Sequence, residues 1–193
     1  MIRAICFDFD GVILIANYFS DRLPAKYPTV TSKQILDVLK TDWKNAQLGK
    51  KTMHSVWKKH LSKWNIPMNL DDMFKFWFDG ESLNKEILTL IKSLRSDYKI
   101  ILLSNNPKER VDYYNKQNKL YSYFDGVVIS SDIGDFKTSS KASKKVVKLA
   151  GVSIDEIAVV DNDLKDLAKY KTQGFTTIKY TNTNNLRKQL NIK

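Results

Sequence analysis

The sequence predicts an open α/β fold, a parallel sheet with helices on both faces that is interrupted early by an all-helical insertion. Three observations predict it. Short, continuously apolar runs recur along the chain, the pattern of strands buried on both faces. Helical stretches with recognisable caps separate those runs, and strands alternating with helices argue for a parallel sheet. The alternation stops between about residues 16 and 81, where only amphipathic helical patterns occur and where all four tryptophans lie.

The elements follow in order. Residues 3–9 read as an apolar strand ending in carboxylates, with Gly11 marking a turn just beyond. Helices are predicted near 32–46, 52–64 and 70–78, with no convincing strand among them. Trp43, Trp57, Trp64 and Trp77 fall at helical spacing there, which reads as packing rather than a substrate platform. Strands follow at 99–103, 126–129, 157–160 and 175–178. Asn106-Pro107-Lys108-Glu109 is a helix start, with Asn at the N-cap and Pro at the first helical position. A helix from about Ser139 should stop at Ala150-Gly151, where glycine adopts the left-handed cap, and another runs from about Asp163 to Gly174. The domain division is then a sheet domain of residues 1–15 and 82–193 and a helical domain of 16–81.

A chain of 193 residues fits one domain carrying such an insertion. Its single cysteine, Cys6, sits inside an apolar run and reads as a buried structural thiol. A lone cysteine makes no internal disulfide, so nothing calls for an oxidising compartment. Asp8 comes too early for a signal-peptide core, and no run approaches the ~18 apolar residues of a membrane span. The expectation is a cytoplasmic protein with no membrane partner. The net charge of +11 comes from lysines scattered over nearly every helix, with no basic run of the kind that binds nucleic acid. It reads as a solvated surface that also draws anionic substrates inward.

Four strand ends carry candidate chemistry. Asp8 and Asp10 close the first strand, and on an extended chain they point the same way. Two crowded carboxylates repel, so such a pair calls for a cation or a shared proton. Leu103-Ser104-Asn105-Asn106 ends another strand, where a hydroxyl and the amides opening a helix suit a phosphate oxygen. Lys137, before a helix, offers a point charge for a phosphoryl group. Asp161-Asn162-Asp163, with Asp166 following, is a further carboxylate-bearing strand end, and hard oxygen ligands of this kind suit magnesium.

Each motif alone is ordinary, but their combination in this order closely resembles the four-motif signature of the haloacid dehalogenase superfamily. The likeness is to phosphatase-like members with a helical cap inserted after the first strand of a Rossmann-like core. That resemblance implies a Mg2+-dependent phosphohydrolase acting on a small-molecule phosphate ester. Asp8 would be the nucleophile that forms an aspartyl-phosphate, and Asp10 the acid and then the base. Magnesium would be held by Asp8, the Asp10 backbone carbonyl and Asp161. Ser104, the adjoining Asn105 and Lys137 would grip the phosphoryl group. Asp166 and Asn162 would support the metal or orient Lys137. Gln47-Leu48-Gly49-Lys50 is similar to a cap loop that reads substrate, which makes Gly49 and Lys50 cap contacts.

One departure is Thr138, where many relatives carry proline after the lysine, which leaves Lys141 as a fallback for Lys137. Asp10 argues against a dehalogenase, since relatives of that kind lack an acid there. Two alternatives stay open on the motifs: phosphomutase-type transfer on a sugar phosphate, and a noncatalytic basic interaction or nucleic-acid-binding module on the same fold.

Overall fold

The computed structural model describes residues 1–16 and 18–192; Asn17 and Lys193, which fall within the expected domain ranges, lie outside the described residues. In chain order the strands are β1 (Ala4–Asp8), β2 (Leu14–Ala16), β3 (Glu81–Leu83), β4 (Lys99–Ser104), β5 (Gly126–Ile129), β6 (Ile157–Asp161) and β7 (Thr176–Lys179). Among the described residues one sheet has the order β5-β4-β1-β6-β7, every pair parallel. The chain passes from β1 to β4 and β5 on one side, then crosses back to β6 and β7 on the other. Strand order therefore reverses beside β1, and ligands bind such sheets outside the carboxyl ends of the strands at that point.

The period of two along β1 assigns its side chains to the two faces. Ala4 and Cys6 join one apolar cluster, with Val146 of α9 (Ser140–Ala150) and Tyr170 of α10 (Leu164–Thr172). Ile5 and Phe7 join the other, with Leu90 of α6 (Lys85–Leu94), Val111 of α7 (Lys108–Asn118) and Leu186 of α11 (Thr183–Gln189). Helices thus cover both faces, and each strand end is left to carry polar groups. Burial pushes the Cys6 thiol well above its ordinary range, as suits an inert core group. No helix among the described residues is long and apolar enough to cross a membrane.

Between β2 and β3, which pair antiparallel, run α1 (Phe19–Lys26), α2 (Ser32–Lys40), α3 (Asp42–Gln47), α4 (Met53–Lys63) and α5 (Leu70–Phe78). The four tryptophans are all buried here. Phe19 stacks on Trp77 at 4.6 Å between ring centroids, and Trp57 meets Trp77 edge-on at 5.4 Å. Packing is what they do. The same cluster runs on into the sheet face through Phe78 and Tyr113, 4.7 Å apart, and through Phe9 and Tyr114.

Several local expectations need correction. Helix α1 was not anticipated, because Pro24 falls inside it and signals a break. The stretch 32–46 is two helices, since Thr41 leaves helical geometry and turns its hydroxyl back to the Asp37 carbonyl. The insertion is flanked by strands after all; β2 and β3 are three residues each, too short for alternation to register. Helix α7 begins one residue later than the Asn106 cap implied: Pro107 is the N-cap and Asn106 spends its side chain elsewhere. The helix starts near Ser139 and Asp163 and the Gly151 cap stand as read.

Candidate active site

Asp8 is the last residue of β1, and the chain turns sharply after it. Ile13 N and Leu14 N both donate to the Phe9 carbonyl, and Gly11 takes φ +82°. A Cβ on Gly11 would also lie 2.5 Å from Asn162 Nδ2, so glycine is needed for conformation and for space. Because β1 stops at Asp8, Asp10 does not continue an extended strand, and the two carboxylates take different cations. Asp8 is buried, whereas the Asp10 side chain is 46% exposed.

Lys137 is the centre of the first group. Its Nζ donates to Asp8 Oδ1 and to Asp161 Oδ2, each at 2.7 Å, and lies 3.5 Å from Asp166 Oδ2. All of this is buried from solvent except part of Asp166. Burial raises the Asp8 pKa well above the carboxylate range; Lys137 opposes that rise and the Asp161 charge adds to it. Burial alone would lower the Lys137 pKa, but Asp8 and Asp161 together push it up. Three carboxylates share one ammonium, which leaves a buried surplus of negative charge.

The turn that delivers Lys137 is held without proline. Ser139 N donates to the Phe136 carbonyl at 2.9 Å, and Lys137 N to Asn105 Oδ1 at 2.7 Å. Tyr170 Oη donates to the Lys137 carbonyl at 3.0 Å, and Gln173 Nε2 to the Thr138 carbonyl at 2.9 Å. Hydrogen bonds within the turn, from the end of β4 and from α10 do the stiffening. Lys141, the fallback, is exposed on α9.

Asp10 belongs to a second group. Arg110 Nη1 donates to Asp10 Oδ1 at 2.8 Å and Oδ2 at 3.1 Å, and Asn106 Nδ2 donates to Asp10 Oδ2 at 2.7 Å. Asn106 Nδ2 also donates to Ser104 Oγ at 2.8 Å. Having accepted that bond, the buried Ser104 hydroxyl retains its own hydrogen for a further acceptor. Arg110 is anchored from behind by Glu81, which accepts from Nη2 at 2.8 Å. Tyr114 Oη and Trp77 Nε1 also donate to Glu81.

Sequence reading missed Arg110, Glu81 and the side-chain role of Asn106. The spacing of Asn106, Arg110 and Tyr114, four residues apart from a strand end into the helix that follows, was the available signal. The other expected residues take supporting places. Asn105 holds the Lys137 turn through its amide oxygen, and its carbonyl accepts from Gln47 Nε2 at 2.7 Å. Asn162 packs over Gly11, and Asp166 flanks Lys137. Gly49 abuts Ser131 of α8 (Ser130–Ile133), while Lys50 is exposed.

Among the described residues no three His, Cys, Asp or Glu side chains gather to hold a metal. Asp8 and Asp161 are two hard carboxylates, and the Asp10 carbonyl would be the third donor. Magnesium keeps several waters and is commonly held by one or two carboxylates, so this donor set and its surplus negative charge fit it.

A family model described as haloacid dehalogenase-like hydrolase matches residues 2–168. Comparison with curated protein sequences gives no significant match. Solved structures give the fold. A HAD family enzyme from Bacteroides thetaiotaomicron superposes with a TM-score of 0.84 at 16% identity, covering 98% of each chain. The same enzyme in complex with magnesium and inorganic phosphate gives 0.80 at 17%, over 94% of this chain and 95% of that one. A predicted HAD-like family hydrolase from Porphyromonas gingivalis gives 0.81 at 22%, over 99% and 97%. The L-2-haloacid dehalogenase of Xanthobacter autotrophicus, with chloropropionic acid covalently bound, gives 0.69 at 19%, over 98% and 82%.

Proposed function

The chain belongs to the haloacid dehalogenase-like hydrolases, and from that premise we propose that it hydrolyses phosphate monoesters of small molecules through an aspartyl-phosphate on Asp8. The observation that carries this reading is Asp10: a second carboxylate two residues after the nucleophile, partly open to substrate and held by its own cation. Displacing a halide needs no acid, whereas a departing alkoxide needs a proton. The likeness to a haloacid dehalogenase therefore extends to the fold and the covalent strategy, not to the leaving group. The Bacteroides enzyme's magnesium and phosphate support the same choice by analogy of fold.

In this reading an Asp8 carboxylate oxygen attacks phosphorus in line, and the bond to the leaving oxygen breaks. Lys137 keeps Asp8 ionised against its burial and, with the free hydrogen of Ser104, meets the charge on the phosphoryl oxygens. Asp10 gives its proton to the departing oxygen. It then takes one from the water that attacks the aspartyl-phosphate, which frees Asp8 and inorganic phosphate. Asp8, the Asp10 carbonyl and Asp161 would hold magnesium, which would supply charge neutralisation between nucleophile and phosphate.

The test is a screen of phosphorylated metabolites with phosphate detection, in magnesium and in chelator, beside chloride release from 2-chloropropionate. Phosphate release that needs magnesium and falls at least about a thousandfold in Asp8→Asn is expected. Chloride release without phosphatase activity would overturn the reading.

A further inference from the structure

Arg110 and Glu81 form a buried ion pair to which no step above assigns a role. Their side chains are 6% and 3% exposed. Replacing a buried pair by apolar groups is often neutral or stabilising, so its burial is weak evidence of a purely structural purpose. Its geometry is directional. One arm of the guanidinium, Nη2, is tied to Glu81, and the other, Nη1, reaches both Asp10 oxygens and Asn106 Oδ1. Glu81 is itself fixed by donors from two elements, Trp77 of α5 and Tyr114 of α7. Asp10, by contrast, lies in the turn beyond β1 and is half open to water. Without Arg110 and Asn106 it has rotameric freedom to swing outward.

We propose that Arg110, anchored by Glu81, is the positioning residue for Asp10, holding its carboxylate where it meets the leaving oxygen. This rests on the phosphohydrolase reading and deepens it. A misplaced acid costs most where protonation matters most, since proton transfer demands hydrogen-bond geometry. Glu81 opens β3, where the chain returns from the inserted helices, so the same contact ties the acid to the root of that insertion.

The experiment measures the first, phosphorylating step by rapid quench on two esters of similar shape, phenyl phosphate and 4-nitrophenyl phosphate, the second having the better leaving group. Asp10→Asn is the reference and should lose more on phenyl phosphate. Arg110→Met should show the same pattern, with a loss at least about tenfold larger on phenyl phosphate than on the nitrophenyl ester. Arg110→Lys, which keeps the charge but not the fork, should fall between. The double variant Asp10→Asn/Arg110→Met should be no worse than Asp10→Asn alone. Arg110→Met leaves Glu81 unpaired, so Glu81→Gln/Arg110→Met serves as the folded control and should keep the ester preference of the loss. Equal losses on both esters, or additive losses in the double variant, would mark Arg110 as structural and overturn the proposal. Were the wild type to phosphorylate on neither ester and on no screened metabolite, the phosphohydrolase reading would fall and this inference with it. An ester-dependent loss in Asp10→Asn without one in Arg110→Met would overturn the inference alone.

Discussion

Lys137 is asked to satisfy more negative charge than it carries. It bonds Asp8 and Asp161 equally and faces Asp166 beyond them. The unmet charge shows in Asp8, whose pKa burial raises despite Lys137. A consequence for stability follows from linkage. A carboxylate raised on folding binds more protons in the native than in the unfolded state. The contribution of Asp8 to stability is therefore most favourable at low pH and falls as pH rises from about 4, the unfolded value, upward through the folded one. Asp8→Asn removes that penalty while leaving Lys137 its Asp161 partner. Thermal unfolding in chelator should find the variant more stable than wild type at pH 7–8. The gain should be on the order of 1 kcal/mol, or about 2–4 °C, and should close toward pH 4. A variant less stable than wild type at neutral pH would show that Asp8 is held favourably rather than under strain.

At the scale of elements, the site depends on how the inserted helices touch the sheet domain. The last residue of α3 is latched to the residues that follow two strands: Gln47 Nε2 donates to the Asn105 carbonyl, and Ser130 Oγ donates to the Gln47 carbonyl at 2.6 Å. Gly49 completes the contact. It takes φ +68°, and a Cβ there would lie 2.5 Å from the Ser131 carbonyl oxygen. Gly49→Ala should destabilise the protein by about 1–2 kcal/mol through strain alone. It should also raise KM more than it lowers kcat, because the latch closes over Asn105 rather than over Asp8. Unfolding and steady-state kinetics on one preparation check both parts, and an unchanged melting temperature would refute the close approach. This contact also marks the limit of what the sequence displayed. Four of the five sheet strands were legible because they are apolar runs, and Asp8, Ser104 and Asp161 because each closes such a run. Lys137 was legible from its place in the motif order. The second group was not, since Arg110 and Glu81 lie 29 positions apart and meet only across the fold. Asn106 was read as a cap because that is the local use of Asn before Pro; the site took its amide instead. Pairing of three-residue strands leaves no periodicity at all, so β2 and β3 were silent.

Taken whole, the molecule gathers its four tryptophans in the insertion, which touches the sheet domain just beyond the carboxyl ends of β4 and β5. Residues 16–81 are proposed to act as a cap, and their tryptophans offer a way to watch it. Trp43, Trp57 and Trp64 pack within the insertion, 6.2–6.4 Å from one to the next, and should report its interior. Trp77 differs, because its indole donates to Glu81, which in turn holds Arg110 and so Asp10. A ligand that engages Asp10 should pull on that chain, and closure that excludes water would strengthen the pull. Aluminium fluoride with magnesium, a mimic of the transferring phosphoryl group, should therefore change the tryptophan emission of the wild type. The change should be lost in Trp77→Phe and kept in Trp64→Phe. Asp161→Ala should weaken it by removing a carboxylate from the proposed magnesium site. A change that persists in both Trp77→Phe and Asp161→Ala would mean that the insertion senses something other than an assembled site, and that the Glu81 connection does not carry the signal.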